Sequence, residues 1–184
     1  MRKEHPVSSR SCYALGFLTA AILVFLDQYT KILAAAHLQG NSSFSLLDGV
    51  LELRYLYPEN RGIAFGMFQG KVELFSVISI FLFGVILYFC IKIPKERYYI
   101  PLLAVCFLMF AGAAGNFIDR VFRGYVIDFI YFSLIDFPVF NLADVYVVCA
   151  GILLVALVLF KYRREDDFDF LDRQIKKDGA HGKN

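Results

Sequence analysis

Long runs of apolar residues are the feature that most restricts the fold of this chain. Three runs, at 11–26, 74–91 and 98–117, approach the roughly 20 residues that a helix needs to cross a bilayer. A fourth run, 145–160, reaches that length if its helix begins near Asn141. Of the 184 residues, 58% are hydrophobic, which is more than a soluble domain usually contains. The sequence therefore predicts an all-α membrane protein with a four-transmembrane-helix bundle.

The rest of the chain predicts one membrane domain followed by a tail. We expect the domain to cover 1–161, with spans at about 11–36, 72–91, 98–117 and 141–161. Apolar and polar residues alternate at 51–57, which is typical of a strand and predicts a small extracytoplasmic β-sheet segment within about 40–70. The aromatic stretch 121–140 is expected to be irregular and to lie in the membrane interface. The charged residues 162–184 predict a disordered cytoplasmic tail.

The basic residues predict the orientation in the membrane. If both termini are cytoplasmic, 13 of the 19 Lys and Arg residues lie on the inner side and 5 on the outer side. The loop at 92–97 holds Lys92, Lys95 and Arg97. It is informative because the positive-inside rule applies to short loops. We therefore expect the N- and C-termini in the cytoplasm.

Four aspartates border or interrupt the apolar segments: Asp27, Asp119, Asp128 and Asp144. The predicted topology places all four at the outer edge of the bilayer. Charged groups near hydrocarbon are costly, and they usually face a bundle interior or a wet cavity and carry function. Two neighbouring carboxyl groups in a poorly solvated site divide into an acid and a base. Such a pair activates water for attack on a peptide carbonyl without a metal.

Some of these charged residues also have structural interpretations. Asp27 and Lys31 are spaced i, i+4 on the first helix, which favours an ion pair that holds the bundle together. Asp119 and Arg120 together are typical of a charged cluster that anchors an interfacial loop. Asp144 is harder to explain in this way because it opens an otherwise apolar helix.

Two asparagines precede aspartates by three residues, Asn116 before Asp119 and Asn141 before Asp144. Their amides either orient a carboxylate or a substrate carbonyl, or they satisfy groups at helix ends. The sequence leaves both interpretations open. The three histidines are far apart, and the four cysteines form no C-x-x-C pair, so we predict no metal site and no cofactor.

Five short motifs follow one another between residues 27 and 144. They are DQYTK at 27–31, NRGIAF at 60–65, GAAGNFIDR at 112–120, VIDF at 126–129 and FNLAD at 140–144. This series resembles the blocks D-x-x-[ST]-K, N-x-G-x-A-F, G-x-x-G-N-x-x-D-R, V-x-D-F and F-N-x-A-D of the bacterial lipoprotein signal peptidases, or signal peptidase II. Ala111 stands where that family commonly has glycine, and the residues after Lys161 lie outside the resemblance.

The resemblance implies an intramembrane aspartic endopeptidase of the bacterial cytoplasmic (inner) membrane. Its substrates would be prolipoproteins, cleaved on the N-terminal side of a diacylglyceryl-modified cysteine. Asp128 and Asp144 would form the catalytic pair. Residues that would support the pair or bind substrate are Asp27, Lys31, Asn60, Gly62, Asn116, Asp119, Arg120, Asn141 and Ala143. We expect a monomer that contacts membrane lipid and binds no nucleic acid.

Two other classes of protein use acids inside a membrane. A small channel or proton-coupled carrier would place them near the midplane, often between inverted repeats. In this chain the aspartates are expected at one edge, and no internal repeat is found. A scaffold subunit would use the same acids as structural pairs. We therefore favour the peptidase and keep the channel or carrier as the alternative.

Overall fold

The computed structural model describes residues 7–61 and 72–171 and is mostly helical. Its long helices are α1 (Ser9–Leu38), α2 (Val72–Lys92), α3 (Ile100–Arg123) and α4 (Leu142–Phe160). Within the described residues, the helices α1, α3 and α4 are long and apolar enough to cross a membrane, and the stretch Ser76–Lys92 of α2 is a shorter apolar helix. The prediction of apolar membrane helices is therefore confirmed for three of them.

Helix α3 is the central helix, because it packs against α1, α2 and α4. Small residues allow α3 to approach α1 and α4 closely. A Cβ atom on Gly112 would lie 2.5 Å from the carbonyl oxygen of Ala143 on α4. A Cβ atom on Gly115 would lie 2.5 Å from Oδ2 of Asp27 on α1. Small residues have this function in many membrane helix bundles, and here they bring polar groups of three helices together.

The outward faces of the helices are covered by large apolar side chains. Leu15 on α1, Phe81 on α2 and Ile152 on α4 are each more than half exposed. Soluble monomers rarely expose apolar surface on this scale. These faces are therefore suited to contact with hydrocarbon, as the apolar sequence runs predict.

A small antiparallel sheet lies between α1 and α4 in sequence. It contains β1 (Phe44–Leu47), β2 (Leu51–Leu53) and β3 (Ile130–Tyr131), in the order β1-β2-β3. The alternating pattern at 51–57 correctly predicted a strand, although β2 ends at Leu53. The expectation that 121–140 is wholly irregular is wrong, because this stretch supplies β3, which pairs with β2.

Extended pairing continues beyond the two-residue strand β3. The backbone N–H of Arg54 donates to the carbonyl of Phe129 at 2.9 Å, and that of Leu56 donates to the carbonyl of Asp128 at 3.0 Å. The N–H of Val126 donates to the carbonyl of Asn60 at 2.9 Å. The segment that carries Asp128 is therefore held along its length by the extended chain after β2.

The third helix is longer than predicted. Its expected end was residue 117, but α3 continues to Arg123, so that Asp119 lies inside the helix. Gly124 ends α3 in the left-handed conformation, with φ of 75°, and its N–H donates to the carbonyl of Arg120. Glycine is favoured at this position because it has no Cβ atom to oppose positive φ.

The stretch after α4 also differs from prediction. Residues 162–171 were expected to be disordered, yet Tyr162 is 2% exposed and Phe170 is 9% exposed. The Tyr98 hydroxyl group lies 2.9 Å from the carbonyl oxygen of Lys161 and 3.0 Å from Oδ1 of Asp167, and its one hydrogen can donate to either acceptor. Aromatic residues among the charges thus fix this segment against the start of α3. Residues 172–184 lie outside the described part of the chain.

Candidate active site

Asp144 lies in the first turn of α4 and is held there by Asn141. The Oδ1 atom of Asn141 accepts the N–H of Asp144 at 3.0 Å, and Oδ2 of Asp144 accepts the N–H of Asn141 at 3.1 Å. This reciprocal arrangement is a capping box, and it satisfies two N–H groups at the start of the helix. The same position stabilises a negative charge, because helix N-termini attract anions.

Asp128 lies on the extended segment before β3, and its carboxyl group is held by two amides. Nδ2 of Asn60 donates to Oδ2 of Asp128 at 2.8 Å. Nδ2 of Asn141 donates to Oδ1 of Asp128 at 2.6 Å. Asp128 is 3% exposed. Asn141 therefore contacts both aspartates, with its side-chain amide on Asp128 and its backbone N–H on Asp144.

The two aspartates open into one cavity of about 430 Å³. Its polar lining comes from Asn60, Asn116, Arg120, Asp128 and Asp144. Its other lining residues are mainly apolar: Val126, Phe137, Pro138, Val139, Phe140, Val145, Val148 and Cys149. Two carboxyl groups from different elements thus face a space whose remaining walls are mostly without charge.

Burial changes the acidity of Asp128. Loss of solvent, and next the nearby charge of Asp144, raise the pKa of Asp128 from its ordinary 3.8 to about 7. Hydrogen bonds from Asn60 and Asn141 oppose this rise because they stabilise the carboxylate. A substantial fraction of Asp128 therefore keeps its proton near neutral pH and is able to act as an acid.

Asn116 connects this pair to a second cluster of charges. Its Nδ2 atom donates to Oδ1 of Asp144 at 2.8 Å. Its Oδ1 atom accepts from Nζ of Lys31 at 3.0 Å and from Nδ2 of Asn141 at 3.1 Å. Asn116 therefore orients the carboxylate of Asp144, and not that of Asp119 one turn along its own helix.

The second cluster is an ion network between α1 and α3. Nζ of Lys31 lies 2.9 Å from Oδ2 of Asp27 and 2.9 Å from Oδ2 of Asp119, and all three side chains are 0% exposed. The i, i+4 spacing of Asp27 and Lys31 correctly indicated an ion pair. Asp119 also anchors the following loop, because its Oδ2 atom accepts the N–H of Ile127 at 3.2 Å.

Asp119 and Arg120, which the sequence suggested as one charged cluster, have different surroundings. The basic partners of Asp119 in its salt bridges are Lys31 and Arg123, while Arg120 lines the cavity of Asp128 and Asp144. Successive residues of a helix point in different directions, so only one of the neighbours Asp119 and Arg120 faces α1.

Sequence reasoning missed two members of this ion network, Gln28 and Arg123. Nε2 of Gln28 donates to Oδ2 of Asp27 at 3.1 Å and to Oδ1 of Asp119 at 3.2 Å. Nη1 of Arg123 donates to Oε1 of Gln28 at 3.0 Å. The i, i+4 spacing of Asp119 and Arg123 was the signal that could have identified Arg123.

The remaining predicted site residues are Ala143 and Gly62. The N–H of Ala143 donates to Oδ1 of Asp27 at 2.9 Å, which ties the start of α4 to α1. Ala143 is 0% exposed, and its small side chain allows the approach of Gly115 on α3. Gly62 lies outside the described residues.

Comparison with known proteins identifies the family of the chain. Residues 19–160 match the family model described as signal peptidase (SPase) II. A lipoprotein signal peptidase from Caldanaerobacter subterraneus is 43% identical over 148 residues, which cover 80% of this chain and 97% of that relative. A lipoprotein signal peptidase from Halalkalibacterium halodurans is 38% identical over 152 residues, which cover 81% of this chain and 94% of that relative.

A solved structure has the same fold. It is a bacterial membrane enzyme determined by the in meso method, with 33% sequence identity and a TM-score of 0.72. The match covers 88% of this chain and 99% of that one. The family match, the apolar helices and the shared fold all indicate the same family of membrane proteins. The chain therefore belongs to the signal peptidase II family and is a bacterial membrane peptidase.

Proposed function

We propose that the chain is an intramembrane aspartic endopeptidase that removes signal peptides from prolipoproteins. The bond cleaved would lie on the N-terminal side of the diacylglyceryl-modified cysteine. One observation carries the aspartic mechanism: Asp128 and Asp144 come from different elements, are both bound to Asn141, and face one largely apolar cavity. The substrate class is supported by the lipoprotein signal peptidases to which the chain is similar.

Asp144 is the general base in this proposal. Its carboxylate accepts hydrogen bonds from Nδ2 of Asn116 and the N–H of Asn141, and it lies at the N-terminus of α4. All three features stabilise the negative charge. Asp144 removes a proton from a water molecule held between the two carboxyl groups, and the water oxygen then bonds to the scissile carbonyl carbon.

Asp128 is the general acid. With a pKa of about 7, it has a proton to donate to the carbonyl oxygen as water attacks, which gives a gem-diol. Asp144 then passes its proton to the amine nitrogen while the C–N bond breaks. Asp128 recovers a proton from a gem-diol hydroxyl group as the new carboxyl group forms. Both aspartates thus return to their starting protonation states.

The proposed setting is the extracytoplasmic edge of the bilayer. Four spans with both termini in the cytoplasm put the sheet and both aspartates on the outer side, and the distribution of Lys and Arg supports this orientation. Apolar lining residues such as Phe137, Val145 and Val148 suit a signal-peptide segment that enters from hydrocarbon. The lipid anchor of the cysteine then stays in the membrane during cleavage.

The direct test is cleavage of a purified diacylglyceryl-modified prolipoprotein in liposomes that contain the full chain. Asp128→Asn and Asp144→Asn should each abolish cleavage, because an amide replaces the acid or the base. Asp136→Asn is the matched control, since Asp136 is a loop aspartate outside the cavity and its left-handed backbone suits asparagine.

The thermal unfolding of each variant in detergent reports whether it is folded. Full cleavage by either Asp128→Asn or Asp144→Asn would contradict the proposed catalytic pair. The channel or carrier alternative predicts a different result: proton flux into liposomes that contain the chain, without cleavage of the prolipoprotein.

A further inference from the structure

The side-chain amide of Asn141 has one possible orientation. Its Oδ1 atom accepts the backbone N–H of Asp144, a group that only donates. Its Nδ2 atom must therefore be the atom that faces Asp128 at 2.6 Å and Asn116 at 3.1 Å. A backbone N–H at the start of α4 thus determines which end of Asn141 faces the catalytic pair.

The orientation of Asn116 follows from two donors. The Lys31 ammonium group and Nδ2 of Asn141 both donate, at 3.0 Å and 3.1 Å, so the atom of Asn116 that they share must be its oxygen. The nitrogen of Asn116 is then directed at Oδ1 of Asp144, 2.8 Å away. A flipped amide would place an oxygen against the carboxylate and a nitrogen against two donors.

We propose that Asn116 is a positioning residue that keeps a hydrogen-bond donor on Asp144, and that Lys31 locks the amide in this orientation from the neighbouring helix. This inference rests on the proposed function, in which Asp144 is the base. The donor favours the ionised form of Asp144. The lock is firm because Lys31 is 0% exposed and is paired with Asp27 and Asp119.

Several charged groups surround Asn116. They are Lys31 and Asp27 on α1, Asp119 and Arg120 on α3, Asp128 on the extended segment and Asp144 on α4. A new carboxyl group at position 116 would take the place of an amide of nearly the same size among these charges. Its protonation state would then decide whether Asp144 receives a hydrogen bond.

The variant Asn116→Asp tests the inference through the pH dependence of kcat for prolipoprotein cleavage. At acidic pH the new carboxyl group is protonated, and its O–H donates to Asp144 as the amide does. At higher pH that proton is lost and two carboxylates face each other, so the kcat of this variant, relative to that of the unsubstituted chain, should fall by about tenfold as the pH rises. KM should change little, because position 116 acts on Asp144.

Asn116→Ala gives the matched comparison because it has no donor at any pH. Its kcat should fall about tenfold or more across the whole pH range, as expected for loss of a hydrogen bond to a charged group. Asn41→Asp is the control for the same amide-to-acid change outside the site. Asn41 is exposed and its side chain donates to the carbonyl of His37, so this variant should keep the pH profile of the unsubstituted chain.

A further variant tests whether Lys31 fixes the orientation of the Asn116 amide. Lys31→Met with Asp27→Asn removes one positive and one negative charge together, and the amide introduced at position 27 would retain an oxygen for the N–H of Ala143. Its kcat should fall while its KM remains near that of the unsubstituted chain. Thermal unfolding in detergent identifies the folded fraction to which each rate is normalised.

Two results would overturn the inference. One is an Asn116→Asp variant with the pH profile of the unsubstituted chain, and the other is full kcat in the folded Lys31→Met/Asp27→Asn variant. Failure of the unsubstituted chain to cleave prolipoprotein at every pH would instead overturn the proposed function, and this inference with it.

Discussion

Two pairs of aspartates lie close together in this molecule, but their surroundings differ. Asp27 and Asp119 each lie 2.9 Å from the ammonium group of Lys31, and all three side chains are inaccessible to solvent. Asp128 and Asp144 are instead held by asparagine amides and open into a cavity. Lys31 thus contacts the carboxylates of the first pair directly, whereas asparagine side chains donate hydrogen bonds to the carboxyl groups of the second pair. Direct contact with buried Lys31 therefore distinguishes the ion network from the proposed catalytic pair.

The largest effect on stability is expected from removing the positive charge of Lys31. Lys31→Met leaves Asp27 and Asp119 as buried charges with one fewer cation, so the free energy of unfolding should fall by about 3–5 kcal/mol. Thermal unfolding in detergent measures the loss. Asp27→Asn should cost less, and it should lower stability more than it lowers turnover of the folded fraction. A larger effect on turnover than on stability would assign Asp27 a direct catalytic role and weaken the comparison.

Adding a methyl group beside the ion network between α1 and α3 should have the next largest effect on stability. A Cβ atom in Gly115→Ala would lie 2.5 Å from Oδ2 of Asp27, so the substitution should lower the free energy of unfolding by about 1–3 kcal/mol. Gly151→Ala on α4 is the matched control, because its Cβ atom would meet no heavy atom within 4 Å. Equal stability of the two variants in detergent would show that the α1–α3 contact is looser than described.

The pH dependence of prolipoprotein cleavage should report on the proposed catalytic pair and not on the ion network. With a pKa of about 7, Asp128 loses its proton as the pH rises through that value, so the acid needed for catalysis disappears. We expect kcat/KM for prolipoprotein cleavage to fall by about tenfold for each pH unit above 7. A rate that stays constant from pH 6 to pH 9 would contradict the assignment of Asp128 as the acid.

A smaller effect is expected from Asn60→Ala. The hydrogen bond from Asn60 lowers the pKa of Asp128, so its loss should raise that pKa further. The alkaline fall in activity should then begin at a higher pH, by about one unit or less. The same pH series of cleavage rates measures this shift, and a displacement toward lower pH would contradict the described role of the amide.

Much of the fold could be predicted from the hydrophobic pattern. Apolar runs identified the helices because each run is long, and strand β2 was visible in the alternation at 51–57. Strand β3 was not predicted, since two residues within an aromatic stretch show no periodicity. The docked segment 162–171 was missed because its charges outweighed Tyr162 and Phe170, which supply the packing.

The site was partly predictable for a different reason. Hydropathy and spacing predicted that four aspartates lie at one depth, but they did not indicate which two would form a catalytic pair. The motif resemblance indicated Asp128 and Asp144. The role of Asn116 was left open, because its partner lies on another helix. Contacts between helices depend on how the helices are rotated in the bundle, and sequence spacing within one helix does not give that rotation.

The cap of α4 has a consequence for how the protein would lose activity on heating. Helix ends fray before helix middles, and here the first turn of α4 includes Asp144, while Asn141 also holds Asp128. Unwinding of a single turn would separate both carboxyl groups while the remaining bundle stays assembled. The position of the proposed catalytic groups at a helix terminus therefore predicts inactivation at a temperature below that of global unfolding.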